Sequence, residues 1–283
     1  MSVESFTLRR GTTPLIISFP HVGTVLPEAL SRRMTAEALA LPDTDWHVDR
    51  LYDFAGALGA GLQVPTLSRY VVDLNRDPTG QPLYPGSENS ELVPLSTFAG
   101  QPIYRPGEAP GASEITERVA RHWQPYHRSL RDELDRLKQR FGFAVLWDAH
   151  SIASRVPRFF SGRLPDLNLG SARGKSAAPD LVRRVMAVLE SASPFSSMLD
   201  GRFTGGYITR HFGRPDHGIH ALQLEMAEID YMEEAPPYAY EPARAEPLKR
   251  VLERVVGAVL SWTAERGRDR SGDREDARSG NLE

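Results

Sequence analysis

Cysteine is absent from this 283-residue chain. Its absence excludes disulfides, thiolate zinc sites and cysteine nucleophiles together, and it fits a reducing compartment, so a cytoplasmic location is expected. Long apolar runs are missing too. No stretch reaches the roughly 18 apolar residues needed to span a membrane, and Met1 to Arg10 has no apolar leader core, so a soluble protein is expected. An excess of positive charge is also lacking. With 34 Lys+Arg against 37 Asp+Glu the formal net charge is −3, and no basic field is available to hold a nucleic-acid backbone. Any bound metal must therefore rely on His, Asp or Glu, and neither nucleic acid nor a membrane is an expected partner.

Short β-rich apolar runs occur near residues 14–18, 62–67, 69–74, 143–147 and 220–225. They alternate with amphipathic stretches that predict helices over 45–58, 113–141, 178–191 and 241–265. A sheet covered by helices on both faces follows: an α/β fold, a three-layer α/β/α sandwich, as one catalytic domain over residues 1–265. Residues 77–111 are rich in Pro and Gly but carry aromatic and apolar side chains, which predicts an ordered lid-like loop. Residues 266–283 have no apolar periodicity and are expected to form a disordered tail.

Chemistry concentrates at the ends of these runs. The segment Ser68-Arg69-Tyr70-Val71-Val72-Asp73-Leu74-Asn75-Arg76 reads as a strand with two guanidinium groups seven residues apart. Such groups suit bidentate recognition of a carboxylate, so a small acidic ligand is expected, with Asp73 as a partner that steadies one arginine. His21 and His150 each follow a predicted strand, where a rigid sheet holds an imidazole in place. Without cysteine, a catalytic zinc needs three N/O ligands and an open position, and these two histidines qualify as two of them. Asp49 is preferred as the third ligand, with Asp45 and His47 as alternatives, because a helix over 45–58 would put Asp45 and Asp49 on one face. Asp148 would support the site. Glu225 closes the apolar run Ala221-Leu222-Gln223-Leu224, where an acid is costly unless paired or used, and a general base is the functional reading. Arg210, after Gly205-Gly206, is a candidate for a second substrate carboxylate, and Tyr231 either lines the pocket or packs.

These pieces, in this order, resemble the N-formylglutamate amidohydrolase family, distantly similar to zinc carboxypeptidases and aspartoacylase. The resemblance runs from about Pro14 to Tyr231. It rests on Phe19-Pro20-His21-Val22-Gly23, residues 43–52, the Arg69 to Arg76 segment, Gly205-Gly206-Tyr207-Ile208-Thr209-Arg210 and Leu222-Gln223-Leu224-Glu225, with Leu83-Tyr84-Pro85-Gly86 similar to the deformylase branch. It implies a carboxypeptidase-like fold, one divalent metal, with Zn²⁺ preferred, and hydrolysis of N-formyl-L-glutamate to formate and L-glutamate in histidine degradation. It further implies His21 and His150 as ligands, Arg69 as the group polarising the scissile carbonyl, Asn75 and Arg76 as the grip on the α-carboxylate, and Glu225 as base. One departure stands out: the peptidases carry a glutamate three residues after the first histidine, and here that position is Thr24. The competing expectations are a deacylase of another N-acyl amino acid or a carboxypeptidase-like peptidase, and, outside enzymes, a binding protein for acidic metabolites.

Overall fold

The computed structural model describes residues 4–83, 86 and 88–279, with side chains as far as Arg268. Tyr84 and Pro85 of the Leu83–Gly86 motif lie outside the described residues. Seven strands form one mixed sheet: β1 (Phe6–Arg9), β2 (Leu15–Ser18), β3 (Gly61–Pro65), β4 (Ala144–Ile152), β5 (Leu167–Gly170), β6 (Ser197–Leu199) and β7 (Ile219–Ala227). Their order is β1-β3-β2-β4-β7-β5-β6. The centre, β3-β2-β4-β7, is parallel, whereas β1 and β5 join it antiparallel.

The short helices α1 (Glu28–Ser31), α2 (Ala36–Leu39) and α4 (Ala112–Arg118) lie in the connections. Alternation along the central strands assigns the two faces. Leu15, Ile17, Val145, Trp147, Leu222 and Leu224 pack on one side, against α3 (Val48–Leu51), α6 (Pro179–Glu190) and α8 (Pro242–Ser279). Ile16, Ala144, Leu146 and Ala221 face the other, against α5 (Gln124–Phe141) and α7 (Tyr207–Phe212). Burying each of the leucine, isoleucine and valine side chains contributes roughly 1.5–3 kcal/mol, so a sheet covered on both faces is the stable arrangement, and the α/β/α sandwich is observed. All nine residues of β4 are buried, including Asp148 and His150, whose burial is costly unless they are paired.

Three expectations are corrected here. Residues 69–74 are not a strand: after β3 the chain turns across the carboxyl ends of the sheet, and its backbone is satisfied outside any ladder. Asp73 N–H donates to the Leu92 carbonyl, and the Arg118 guanidinium donates to the carbonyls of Tyr70 and Val71. The helix expected over 45–58 shrinks to Val48–Leu51, because His47 adopts a left-handed conformation (φ 62°) immediately before it. The C-terminal helix runs to Ser279 rather than ending near residue 265, since extending a formed helix is far easier than nucleating one. Residues 280–283 lie outside the described residues.

Asp230, in the turn after β7, feels the charge of Asp166, which stands just before β5. Asp166 accepts from Ser196 N–H (2.7 Å) and Ser196 Oγ (2.7 Å), and Arg163 lies 3.5 Å from Asp230. Burial, and then the charge of Asp166, push the Asp230 carboxyl up to about 7. Between the ordinary aspartate value near 4 and about 7 the folded chain therefore binds more protons than the unfolded one, and stability falls as pH rises through that window. Asp230→Asn is expected to flatten this slope, measured as melting temperature against pH from 4 to 8; an unchanged slope would assign the pH dependence elsewhere.

Candidate active site

The sheet order contains a reversal. From β2 the chain moves outward to β3, then returns across β2 to β4 on its other side. The crevice outside the carboxyl ends of β2 and β4 is thus a topological switch point, where open α/β sheets place their ligands. His21 lies three residues beyond the end of β2, and His150 lies two residues before the end of β4. Their ring centroids are 4.9 Å apart. Gly23 permits this: a Cβ there would sit 2.1 Å from the Leu67 carbonyl oxygen, so only glycine lets the His21 turn lie against the chain leaving β3.

Asp45 completes the cluster. Its Oδ2 is 3.0 Å from His150 Nδ1 and 3.6 Å from His21 Nδ1, and one ligand atom each from His21, Asp45 and His150 can be chosen within 4.8 Å of one another. Both histidines turn their other nitrogen to a buried carboxylate. His21 Nε2 donates to Asp73 Oδ1 (2.7 Å), and His150 Nε2 lies 3.1 Å from Asp148 Oδ2 and 2.9 Å from Asn75 Nδ2, which itself donates to that Asp148 oxygen (3.2 Å). Carboxylates that fix the outer nitrogen orient an imidazole whose inner nitrogen binds a metal. Burial opposes ionisation throughout. Even so, Arg69 and His21 hold the Asp73 carboxyl well below the carboxylate range, and His21 and His150 hold Asp45 below it. Burial lowers the His150 pKa, but Asp148 and Asp45 outweigh it and raise it well above the ordinary value.

The residues fit a divalent cation. Two imidazoles and a carboxylate are a donor set for catalytic zinc. Asp45 Oδ1, although buried, accepts no hydrogen bond. Four buried carboxylates, Asp45, Asp73, Asp148 and Glu225, surround one buried guanidinium, Arg69, an excess of negative charge that a cation would offset.

Around the cluster is a cleft whose wall includes Arg69, Asn75, Arg76, Arg202, Phe159 and Glu225. Glu225 sits on β7 directly opposite His150 in the parallel register. Gln223 Nε2 donates to its Oε2 (3.0 Å), and burial pushes its carboxyl up to about 7. Arg69 donates to Asp73 Oδ2 (2.6 Å) and the Asp43 carbonyl (3.2 Å), which fixes its guanidinium beside Asp45. Asn75 is clamped: its N–H donates to Asp73 Oδ1 (2.8 Å), and its Oδ1 accepts from Ile208 N–H (2.8 Å). A Cβ on Gly206 would meet the Asn75 amide at 2.3 Å, so glycine is needed there for the loop before α7 to close on Asn75. Arg76 donates to the carbonyl and Oγ of Ser90. Its own carbonyl accepts from Trp123 Nε1 (3.1 Å), from the π turn that precedes α5.

The structure brings His21, His150, Arg69, Asn75, Arg76 and Glu225 together, and it separates four other candidates. Asp49 is exposed, because α3 begins only at Val48 and turns Val48 and Leu51 into the core, leaving Asp49 on the outer side. The acid of the cluster is Asp45, on the non-helical stretch before His47. His47 itself stays outside, with Nε2 2.8 Å from the Tyr238 carbonyl oxygen. Arg210 is exposed and donates to the Leu83 carbonyl (2.7 Å) and Thr204 Oγ1 (2.9 Å), outside the cleft lining. Tyr231 is fully buried behind the wall, where its hydroxyl donates to Ser151 Oγ (2.7 Å). The sequence reading missed Arg202 and Phe159 as wall residues. Both sit in irregular loops without a spacing signal. It took Asp73 only as a partner for an arginine, whereas Asp73 also supports His21.

A mixed α/β/α sheet with a buried His–Asp–His group at its switch point defines a class of α/β scaffold whose donor set could hold a metal ion. Residues 13–232 match the N-formylglutamate amidohydrolase family, and the chain belongs to that family. It is 49% identical over 263 residues to the N-formylglutamate deformylase of Pseudomonas aeruginosa, covering 93% of this chain and 98% of that protein. With the N-formylglutamate deformylase of Pseudomonas putida the identity is 46%, over 92% of this chain and 97% of the relative. The crystal structure of N-formylglutamate amidohydrolase from Ralstonia eutropha JMP134 superposes with a TM-score of 0.78 at 25% identity, covering 93% of this chain and 99% of that one. The family resemblance drawn from the sequence motifs is therefore borne out. Among the described residues, no helix is long and apolar enough to cross a membrane.

Proposed function

We propose that this chain is a metal-dependent hydrolase that cleaves N-formyl-L-glutamate to formate and L-glutamate. The observation that carries this reading is the convergence of His21, Asp45 and His150 with Glu225 and Arg69 in one cleft. The two deformylase relatives, matched over nearly their whole length, supply the substrate. His21, Asp45 and His150 would hold the metal, for which zinc suits the donor set. When bound, such an ion supplies Lewis acidity toward the formyl oxygen and makes water a better nucleophile near neutral pH.

The chain's own groups divide the remaining work. Glu225, held through Oε2 by Gln223, takes a proton from the attacking water and delivers it to the leaving nitrogen of glutamate. Arg69, fixed by Asp73, stabilises negative charge growing on the formyl oxygen. Asn75 and Arg76 hold the α-carboxylate beside the cluster. This chemistry would serve histidine degradation in the cytoplasm, which the absence of cysteine suits.

The test is formate release from N-formyl-L-glutamate by purified protein of known metal content, with chelator and with Zn²⁺ restored. Chelator-sensitive release, regained with zinc, is the expected result. Metal-loaded protein that releases no formate but cleaves N-acetyl or longer N-acyl amino acids would replace the deformylase reading by a broader deacylase. A metal-free protein that binds the compound without turnover would make it a binding protein.

A further inference from the structure

The deformylase reading needs a second cation. N-formyl-L-glutamate carries two carboxylates, and the acids that line the cleft, Asp45 and Glu225, offer neither of them a partner. Arg69 is committed to Asp73 at 2.6 Å, so it answers charge at the floor. Arg76, next to Asn75, accounts for one carboxylate, and Arg210 points elsewhere.

We propose that Arg202 is the specificity residue that receives the side-chain carboxylate of the substrate. The inference rests on the deformylase reading. Arg202 lies in the loop between β6 and α7 and lines the cleft together with Phe159 and Phe203. Its Nε donates to the Phe159 carbonyl (2.7 Å), which fixes the plane of the guanidinium. The Phe203 ring lies 5.4 Å from it, an apolar flank that limits water and strengthens an ion pair made there. Its depth is set by a row of contacts. The Arg69 guanidinium lies 4.7 Å from the Phe98 ring centroid, the Phe98 and Phe159 rings are 5.1 Å apart, and Arg202 lies 6.0 Å from Phe159. Two aromatic rings thus separate the arginine at the floor from the arginine at the outer wall. A ligand whose formyl group meets the metal-binding residues would extend its side chain along that row, and a guanidinium at its end favours a planar carboxylate over a neutral amide.

The experiment compares wild type, Arg202→Gln and Arg210→Gln on three compounds: N-formyl-L-glutamate, N-formyl-L-glutamine and the α-amide of N-formyl-L-glutamate. kcat/KM for formate release and calorimetric Kd are both read. Wild type should favour N-formyl-L-glutamate over N-formyl-L-glutamine by roughly 100-fold, mostly in KM. Arg202→Gln should reduce that ratio to a few-fold while the preference over the α-amide persists, and Arg210→Gln should keep both preferences. Equal losses on all three compounds in Arg202→Gln, loss of the α-carboxylate preference instead, or an intact side-chain preference would each overturn the proposal. If wild type binds the compounds but releases no formate, the deformylase reading fails, and the three Kd values still decide the role of Arg202. If wild type binds none of them, both fail.

Discussion

Replacing Glu225 with glutamine is expected to lower kcat for formate release by roughly 10²–10⁴-fold, the usual worth of a positioned general base, while KM and zinc content change by no more than about threefold. That loss corresponds to roughly 3–5.5 kcal/mol of transition-state stabilisation. The substitution is isosteric, and its carbonyl oxygen still accepts from Gln223 Nε2, so the fold and the wall of the cleft should survive. A structural glutamate in a strand would be expected to pair with a cation. Among the described residues, the charge pairs of the site join Arg69, His21 and His150 to Asp45, Asp73 and Asp148, and Glu225 takes part in none. Burial keeps its carboxyl up at about 7, close to the working range of a base that must both take and return a proton. A kcat within threefold of wild type, at unchanged metal content, would remove Glu225 from the chemistry and leave it as a wall residue.

The parts of this site that the sequence made legible are those carried by regular strands. His150, Asp148 and Glu225 sit on β4 and β7, whose apolar alternation shows through the polar residues interrupting it. His21 follows β2 closely enough for the same argument to hold. Helix periodicity located α5, α6 and most of α8, while the short strands β1, β5 and β6 offered too few residues for a pattern. What the sequence concealed is conformational. Arg69 to Arg76 has the β-branched and aromatic composition of a strand, but its hydrogen bonds go to Arg118, Leu92 and Ser90 rather than to a neighbouring strand. Spacing on an ideal helix made Asp49 and Asp45 equivalent, and one left-handed residue, His47, breaks that equivalence. Arg202 and Arg210 illustrate the same limit. Both lie near the Gly205-Gly206 turn, and only the folded path of that loop places the first in the cleft and the second outside it.

Asp45→Ala is expected to abolish stoichiometric zinc binding and, with it, detectable formate release, whereas Asp49→Asn should leave both within about twofold of wild type, as for an exposed substitution away from any structural feature. Losing a carboxylate that merely supports a ligating histidine costs roughly 10–100-fold in metal affinity, so losing one of three direct ligands should cost more. The two variants separate the expectation drawn from helical spacing from the arrangement in the folded chain. Asp45 also accepts from Ser151 N–H (3.3 Å) and lies beside Arg69, so its removal leaves buried polar groups without their anion and should lower the melting temperature. A folded Asp45→Ala protein with its zinc retained would overturn the assignment of Asp45 as a ligand, and zinc lost from Asp49→Asn instead would return that role to the helix. Asp45→Asn supplies the control for folding. It keeps the side-chain shape and an oxygen acceptor but removes the charge that balances the metal, so it should remain folded and bind zinc more weakly than wild type. The difference between the two Asp45 variants would then measure how much of the ion's affinity comes from charge and how much from an oxygen held in place between His21 and His150.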